Sequence, residues 1–117
     1  MFTVADQIAQ ILKDCGVEVM FSQSLPSRLI LACEDIGIRQ VVYRTDNAGG
    51  AAADGYARTA NKIGVVCAQN GPAATLLVPP LAEALKASTP VIALVQEVER
   101  ANTDRNAFQE LDHPALF

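Results

Sequence analysis

Asp46 stands where an extended run, Gln40-Val41-Val42-Tyr43, gives way to Thr45 and then to small residues. That change reads as strand, N-cap and helix. The carboxylate therefore falls at the carboxyl end of a strand, where α/β sheets gather their ligands. Two roles are open to it there: chemistry on a bound group, or capping of its own helix by accepting from amides two or three residues ahead. A second stretch, Gly71-Pro72-Ala73-Ala74-Thr75, also follows an apolar run and opens a helix, so its amides could cradle an anion. It matches neither GxGxxG nor GxxxxGK[ST] and has no lysine to meet a phosphate, so the phosphate signal is weak. The single histidine, His113, lies beside Pro114 near the end of the chain and reads as a surface residue. Cys15, Cys33 and Cys67 have neither CxxC spacing nor a second ligand type nearby, which suits small buried hydrophobes and gives no metal site.

These residues need elements to hold them. Val4, Ile8, Ile11, Leu12 and Cys15 recur at helical spacing behind Thr3 as cap, with Gly16 as terminator. Val17–Phe21 reads as a buried strand, and Ser22-Gln23-Ser24-Leu25-Pro26 turns into a second helix with proline in its first turn. Leu29, Ile30, Cys33 and Ile36 form that helix's inner stripe, and Gly37 ends it. Gln40–Tyr43 is the second strand, the Asp46 helix runs to about Thr59, and Ile63–Ala68 is the third strand. A fourth helix runs from Pro72 toward Lys86, but Pro79-Pro80 must bend or break it near Val78. Val91–Val95 is the fourth strand; the polar stretch from Gln96 to Asn106 reads as a loop, and Asp112 to Phe117 as neither helix nor strand. Strands alternating with helices imply right-handed crossovers. The predicted fold is therefore α/β: a three-layer α/β/α domain on a mainly parallel sheet.

The bulk properties bound the function. A chain of 117 residues with 50% hydrophobic content is enough for one domain with a real core. A net charge of −4 and no basic run argue against nucleic acid or an anionic membrane surface as partner. No segment approaches the ~18 apolar residues of a membrane span. Met1 to Gln7 has no basic region ahead of a hydrophobic one, so a cytoplasmic location is expected. Ala48 to Ala53 are all Ala or Gly. That face, with the apolar fourth helix, is expected to pack against a twofold mate or a further domain.

Tyr43 to Arg58, with its Arg44-Thr45-Asp46-Asn47 opening and Ala53-Asp54-Gly55-Tyr56-Ala57-Arg58 ending, resembles part of the pyrimidine-binding domain of thiamine-diphosphate enzymes of the acetolactate synthase-like family. Three further stretches fall in that family's order: Gly64 to Thr75 is similar to its strand and Ser-Gly-Pro-Gly-Ala-Thr loop, Ser88 to Leu94 to its next strand, and Ala107-Phe108-Gln109-Glu110 to its Ala-Phe-Gln-Glu segment. The resemblance implies the thiamine-diphosphate-binding fold, pyrimidine-binding type, over residues 1–117, incomplete at the C-terminus. It also implies thiamine diphosphate as cofactor, with Mg2+ bound by a domain absent from this chain, a homodimer or homotetramer, and a 2-oxo acid substrate that the complete enzyme decarboxylates or carboligates. The isolated chain would be inactive.

Residue by residue, Asp46 falls on the family's glutamate, which hydrogen-bonds the aminopyrimidine ring and assists loss of the thiazolium proton. It is shorter by one methylene. Thr45 replaces the family's histidine and Asn47 its glutamine. Gly71 and Pro72 are retained in the loop against the pyrimidine, and Ala73 replaces a glycine. Gln109 matches a glutamine that reaches the active site; read without the family it is a solvated loop amide. The family's metal and diphosphate motif, Gly-Asp-Gly followed by asparagines, does not occur here. The alternative is a non-catalytic α/β module that binds a nucleotide, an anion or a protein partner.

Overall fold

The computed structural model describes residues 2–117. Thr3 opens the chain's first helix with a capping box, its hydroxyl accepting from the Asp6 amide while the Asp6 carboxylate accepts from the Thr3 amide at 2.7 Å. The helices are α1 (Val4–Asp14), α2 (Ser27–Asp35), α3 (Asp46–Ala60), α4 (Pro72–Leu76), α5 (Val78–Lys86) and α6 (His113–Leu116). The strands are β1 (Val19–Ser22), β2 (Arg39–Val42), β3 (Gly64–Ala68) and β4 (Val91–Val95), paired in the order β2-β1-β3-β4 with every pair parallel. The parallel α/β/α expectation holds.

Side chains alternate across the sheet and so feed two separate cores. Met20, Val65 and Cys67 face α1 and α2, where they meet Ala9, Leu12, Ile30 and Cys33. Val19, Phe21, Val66 and Ala68 face the other way, against Ala53 of α3 and Leu77. Central strands covered on both faces are apolar at nearly every position, and β1 and β3 are buried throughout, with the hydroxyl-bearing Ser22 their one polar residue. Met20, Ile38 and Leu77 have no accessible surface, and burial of side chains this size contributes about 1.5–3 kcal/mol each.

Several local expectations shift. The inner face of α1 is Ala5, Ile8, Ala9 and Leu12, while Val4, Ile11 and Cys15 point outward. The alanines let α2 approach closely, which turns the helix toward them. Pro26 precedes α2 as its N-cap instead of lying in its first turn. The proline pair interrupts the fourth helix as expected. Leu77 separates α4 from α5, and Pro79 and Pro80 sit in the first turn of α5, where a missing amide leaves no bond unmade. The C-terminal residues, expected to be irregular, form α6.

Of the small residues of α3, Gly49, Gly50 and Ala53 are taken up inside the domain, while Ala48 and Ala51 stay exposed. The Tyr43 ring covers Gly49, Leu77 and Pro80 cover Gly50, and the Ala53 backbone lies on Gly64, where any Cβ would collide with the Ala53 carbonyl. Cys33 and Cys67 are buried, which pushes their thiols up to about 11 and about 12. Among the described residues no helix is long and apolar enough to cross a membrane.

Candidate functional site

A cleft of about 220 Å³ opens over the carboxyl ends of the strands, lined by Gln23, Ser24, Leu25, Tyr43, Asp46, Gln69, Pro72, Ala73, Leu76 and Gln109. Four of the sequence-predicted residues thus share one cavity: Asp46, Pro72, Ala73 and Gln109. Gly71 does not line this cleft; it borders an adjoining cavity with Pro72 and Gln109.

Asp46 is not the helix cap. Thr45 takes the extended N-cap conformation and makes no side-chain capping bond, which puts Asp46 one residue inside α3. From there its carboxylate meets Tyr43 instead of the helix amides. The Tyr43 hydroxyl lies 2.8 Å from Asp46 Oδ1 and 2.6 Å from the Cys67 carbonyl oxygen, one donor serving two acceptors. Burial, reinforced by the hydrogen bond to Asp46, pushes the Tyr43 phenol well above its ordinary value, so it stays protonated across the physiological range. A carboxylate in the first turn is also favoured by the helix dipole, by about 0.3–1 kcal/mol at an exposed site. Asp46 Oδ2 has no hydrogen-bond partner among the described residues.

The second wall is built by loops that meet from distant parts of the chain. Gly71 has φ +65°, and a Cβ there would lie 2.5 Å from the Gln109 carbonyl oxygen, so only glycine fits both the turn and its neighbour. Asn70 Nδ2 donates to the carbonyls of Phe108 at 3.0 Å and Gln109 at 3.1 Å. Gln109 is held at φ +58°, and its side-chain Oε1 is buried without a partner. A buried carbonyl oxygen left unpaired beside a cleft retains the capacity to accept from a bound group.

His113 corrects the surface reading. It is buried, its Nε2 accepts from the Gly71 amide at 2.9 Å, and its Nδ1 lies 2.7 Å from Glu97 Oε2. An acceptor at Nε2 places the ring proton on Nδ1, facing Glu97. The Gly71 amide is spent on this contact, which removes the leading donor from the anion cradle read in Gly71 to Thr75. Glu110 ties the same region together, its carboxylate accepting from the amides of Asp104 at 2.6 Å and Ala107 at 2.9 Å.

Tyr43, Gln23, Gln69 and His113 were not among the sequence-predicted site residues. Gln69 could have been found by the reasoning that found Asp46, since it is the first residue past a strand. Gln23 follows β1 in the same way, and its Nε2 donates to the Arg44 carbonyl at 3.0 Å, fixing the segment that delivers Asp46. The two contacts of His113 join residues far apart in sequence, and no local pattern announces them.

Comparison with known proteins agrees with this geometry. Residues 2–116 match the family described as "Thiamine pyrophosphate enzyme, N-terminal TPP binding domain". An acetolactate synthase from Mycobacterium leprae is 38% identical over 115 residues, covering 94% of this chain and 18% of the relative. The chloroplastic acetolactate synthase of Arabidopsis thaliana is 37% identical over 109 residues, covering 91% of this chain and 16% of the relative. A probable acetolactate synthase large subunit from Methanocaldococcus jannaschii is 36% identical over 115 residues, covering 97% and 20%. The chain spans a fifth or less of the length of these relatives. With a parallel sheet whose strand ends carry Asp46, the Pro72-Ala73 turn and Gln109, the chain belongs to the thiamine pyrophosphate enzyme N-terminal TPP-binding domain family.

Proposed function

We propose that this domain forms the pyrimidine-side wall of a thiamine diphosphate site in an acetolactate synthase-like enzyme that decarboxylates or carboligates a 2-oxo acid. The reading rests above all on the convergence of Asp46 and Gln109 on one cleft at the strand ends. The residues present fit an aminopyrimidine. Asp46 Oδ2 is free to meet a ring nitrogen, the orphaned Gln109 Oε1 can accept from an exocyclic amine, and Leu25, Ala73 and Leu76 supply apolar surface for the ring. Thiamine diphosphate, when bound, supplies the electron sink for breaking and making bonds at a 2-oxo carbon.

This chain's part is to hold and tune that ring. Asp46 holds a proton against the ring nitrogen, Gln109 fixes the ring's rotation, and Pro72, Ala73 and Leu76 keep water from its edge. Mg2+ and the diphosphate would be held by a further domain, and the working enzyme would be a homodimer or homotetramer in the cytoplasm. The half-covered strand β4 and the exposed Leu85, Phe108 and Phe117 support a covering layer of that kind. The domain alone would be inactive. A second reading, a non-catalytic interaction module, draws on the exposed Thr45 and Asn47, which stand where the family carries histidine and glutamine.

Replacement of Asp46 in the complete protein separates the two readings. Asp46→Ala is expected to leave the Kd for thiamine diphosphate within about tenfold, since most affinity comes from the diphosphate and metal. It should slow exchange of the thiazolium C2 proton by ~10² or more. Asp46→Glu, which restores the family's reach, should exchange faster than the native protein. Unchanged exchange in both variants, measured by quenched-flow NMR, would leave the module reading standing.

A further inference from the structure

Tyr43 has no role assigned to it by the family resemblance, yet it is the best-anchored side chain in the cleft. Its amide donates to the Ser22 carbonyl at 3.3 Å, tying it to β1. Its ring packs on Gly49 in the first turns of α3, and its hydroxyl is fixed on the carbonyl of Cys67, a fully buried residue of β3. Two strands and a helix therefore define where the phenolic oxygen lies. Asp46, by contrast, has a short side chain in the first turn of a helix, and its carboxylate accepts from that phenolic hydroxyl at 2.8 Å.

We propose that Tyr43 is the positioning residue for Asp46, its hydroxyl holding Oδ1 so that Oδ2 alone is offered to the ring in the cleft. The proposal rests on the reading of Asp46 given above and deepens it. The Tyr43 hydroxyl donates to Oδ1 whether Asp46 is a carboxylate or an acid protonated on Oδ2, because Oδ1 is an acceptor in both forms. The contact therefore survives in both protonation states of Asp46 without movement of heavy atoms. A shorter acid must be aimed more tightly to act on a bound ring, because misplacement by about 1 Å can cost ~10² in rate. The anchored hydroxyl supplies the aim.

Tyr43→Phe removes the hydroxyl and keeps the ring on Gly49, so it tests the contact with little risk to folding. In the protein without cofactor, labelled with 13C at aspartate carboxyls, the Asp46 resonance is assigned by its loss in Asp46→Asn. That resonance is expected to shift and broaden in Tyr43→Phe. With thiamine diphosphate and Mg2+ bound, Tyr43→Phe should slow C2-proton exchange by about tenfold while cofactor Kd changes by less than about threefold. The double variant Tyr43→Phe/Asp46→Asn should be no slower than Asp46→Asn alone, because one residue acts through the other. An unmoved Asp46 resonance, an unchanged rate in Tyr43→Phe, or losses that multiply in the double variant would each overturn the positioning role while leaving Asp46's own role intact. Unchanged exchange in Asp46→Asn would overturn both.

Discussion

Gly49 allows Tyr43 to stand over α3, and the same helix contains a glycine with no such duty. A Cβ at position 49 would run into the Tyr43 ring, whereas one at Gly55 would meet nothing within 4 Å. In both places alanine removes a helix penalty of about 0.8–1 kcal/mol relative to glycine. At Gly55 that gain stands alone, and Gly55→Ala should raise stability by up to about 1 kcal/mol. At Gly49 the gain is opposed by overpacking, typically about 1–3 kcal/mol. The ring cannot swing aside without losing its hydrogen bonds to Asp46 and Cys67. Gly49→Ala should therefore destabilise, by up to about 2 kcal/mol. Urea midpoints at constant m decide it, and two variants moving in the same direction would show that the ring yields. The alanine-and-glycine run was visible in the sequence as a surface made for close packing. Its buried half, Gly49, Gly50 and Ala53, packs on a tyrosine, on Leu77 and Pro80, and on the backbone of β3, all inside the domain, while Ala48 and Ala51 face outward.

Among the elements, the turn over residues 104–110 carries Gln109 to the cleft, and a single carboxylate organises it. Hydrogen bonds from the Ala107 amide first, and then from the Asp104 amide, hold the Glu110 carboxyl below the usual glutamate range. A group whose folded value is depressed contributes stability above its unfolded value and loses it as pH falls through the folded one. The turn should therefore keep its shape at neutral pH and loosen only once pH falls below the ordinary glutamate value of about 4.5. Amide NMR signals of Asp104 and Ala107 should move together over that window, and in Glu110→Gln they should lose the titration. The turn was legible only as a polar stretch without periodicity, because its order comes from one side chain reaching back over six residues. Elsewhere local signals were enough. β-branched runs marked the strands to within two residues, and Pro79-Pro80 marked the break at Leu77. On α1 the helical spacing of Val4 and Ile11 suggests a core stripe, but both face outward and Ala5 and Ala9 face in, because close packing against α2 favours alanine. Asp46, Pro72, Ala73 and Gln109 were legible through family spacing; Tyr43 and His113 were not, because their importance lies in hydrogen bonds to residues distant in the chain.

At the scale of the molecule the sheet is lopsided. β1 and β3 are buried throughout, whereas every residue of β4 is only half covered although its composition, Val-Ile-Ala-Leu-Val, is that of an interior parallel strand. Pairing with β3 uses one edge of β4. Gly64 donates to Pro90 and Gln96 donates to Ala68, so in a regular parallel ladder the amides of Val91, Ala93 and Val95 point away from β3. A long, apolar, unpaired edge is a site for association. On the proposed reading a further strand or layer lies along it in the complete protein. Hydrogen exchange resolved to single amides tests this. In residues 1–117 expressed alone, the amides of Val91, Ala93 and Val95 should exchange at least ~10²-fold faster than those of Ile92 and Leu94, since an unpaired amide opens at almost no cost while a central one opens near the global free energy. In the complete protein that contrast should vanish, and β4 should be protected as strongly as β3. If the three amides stay fast there, β4 is a true edge and its apolar composition must instead serve association through its faces, where Leu81, Pro114 and Phe117 border Val91, Ala93 and Val95.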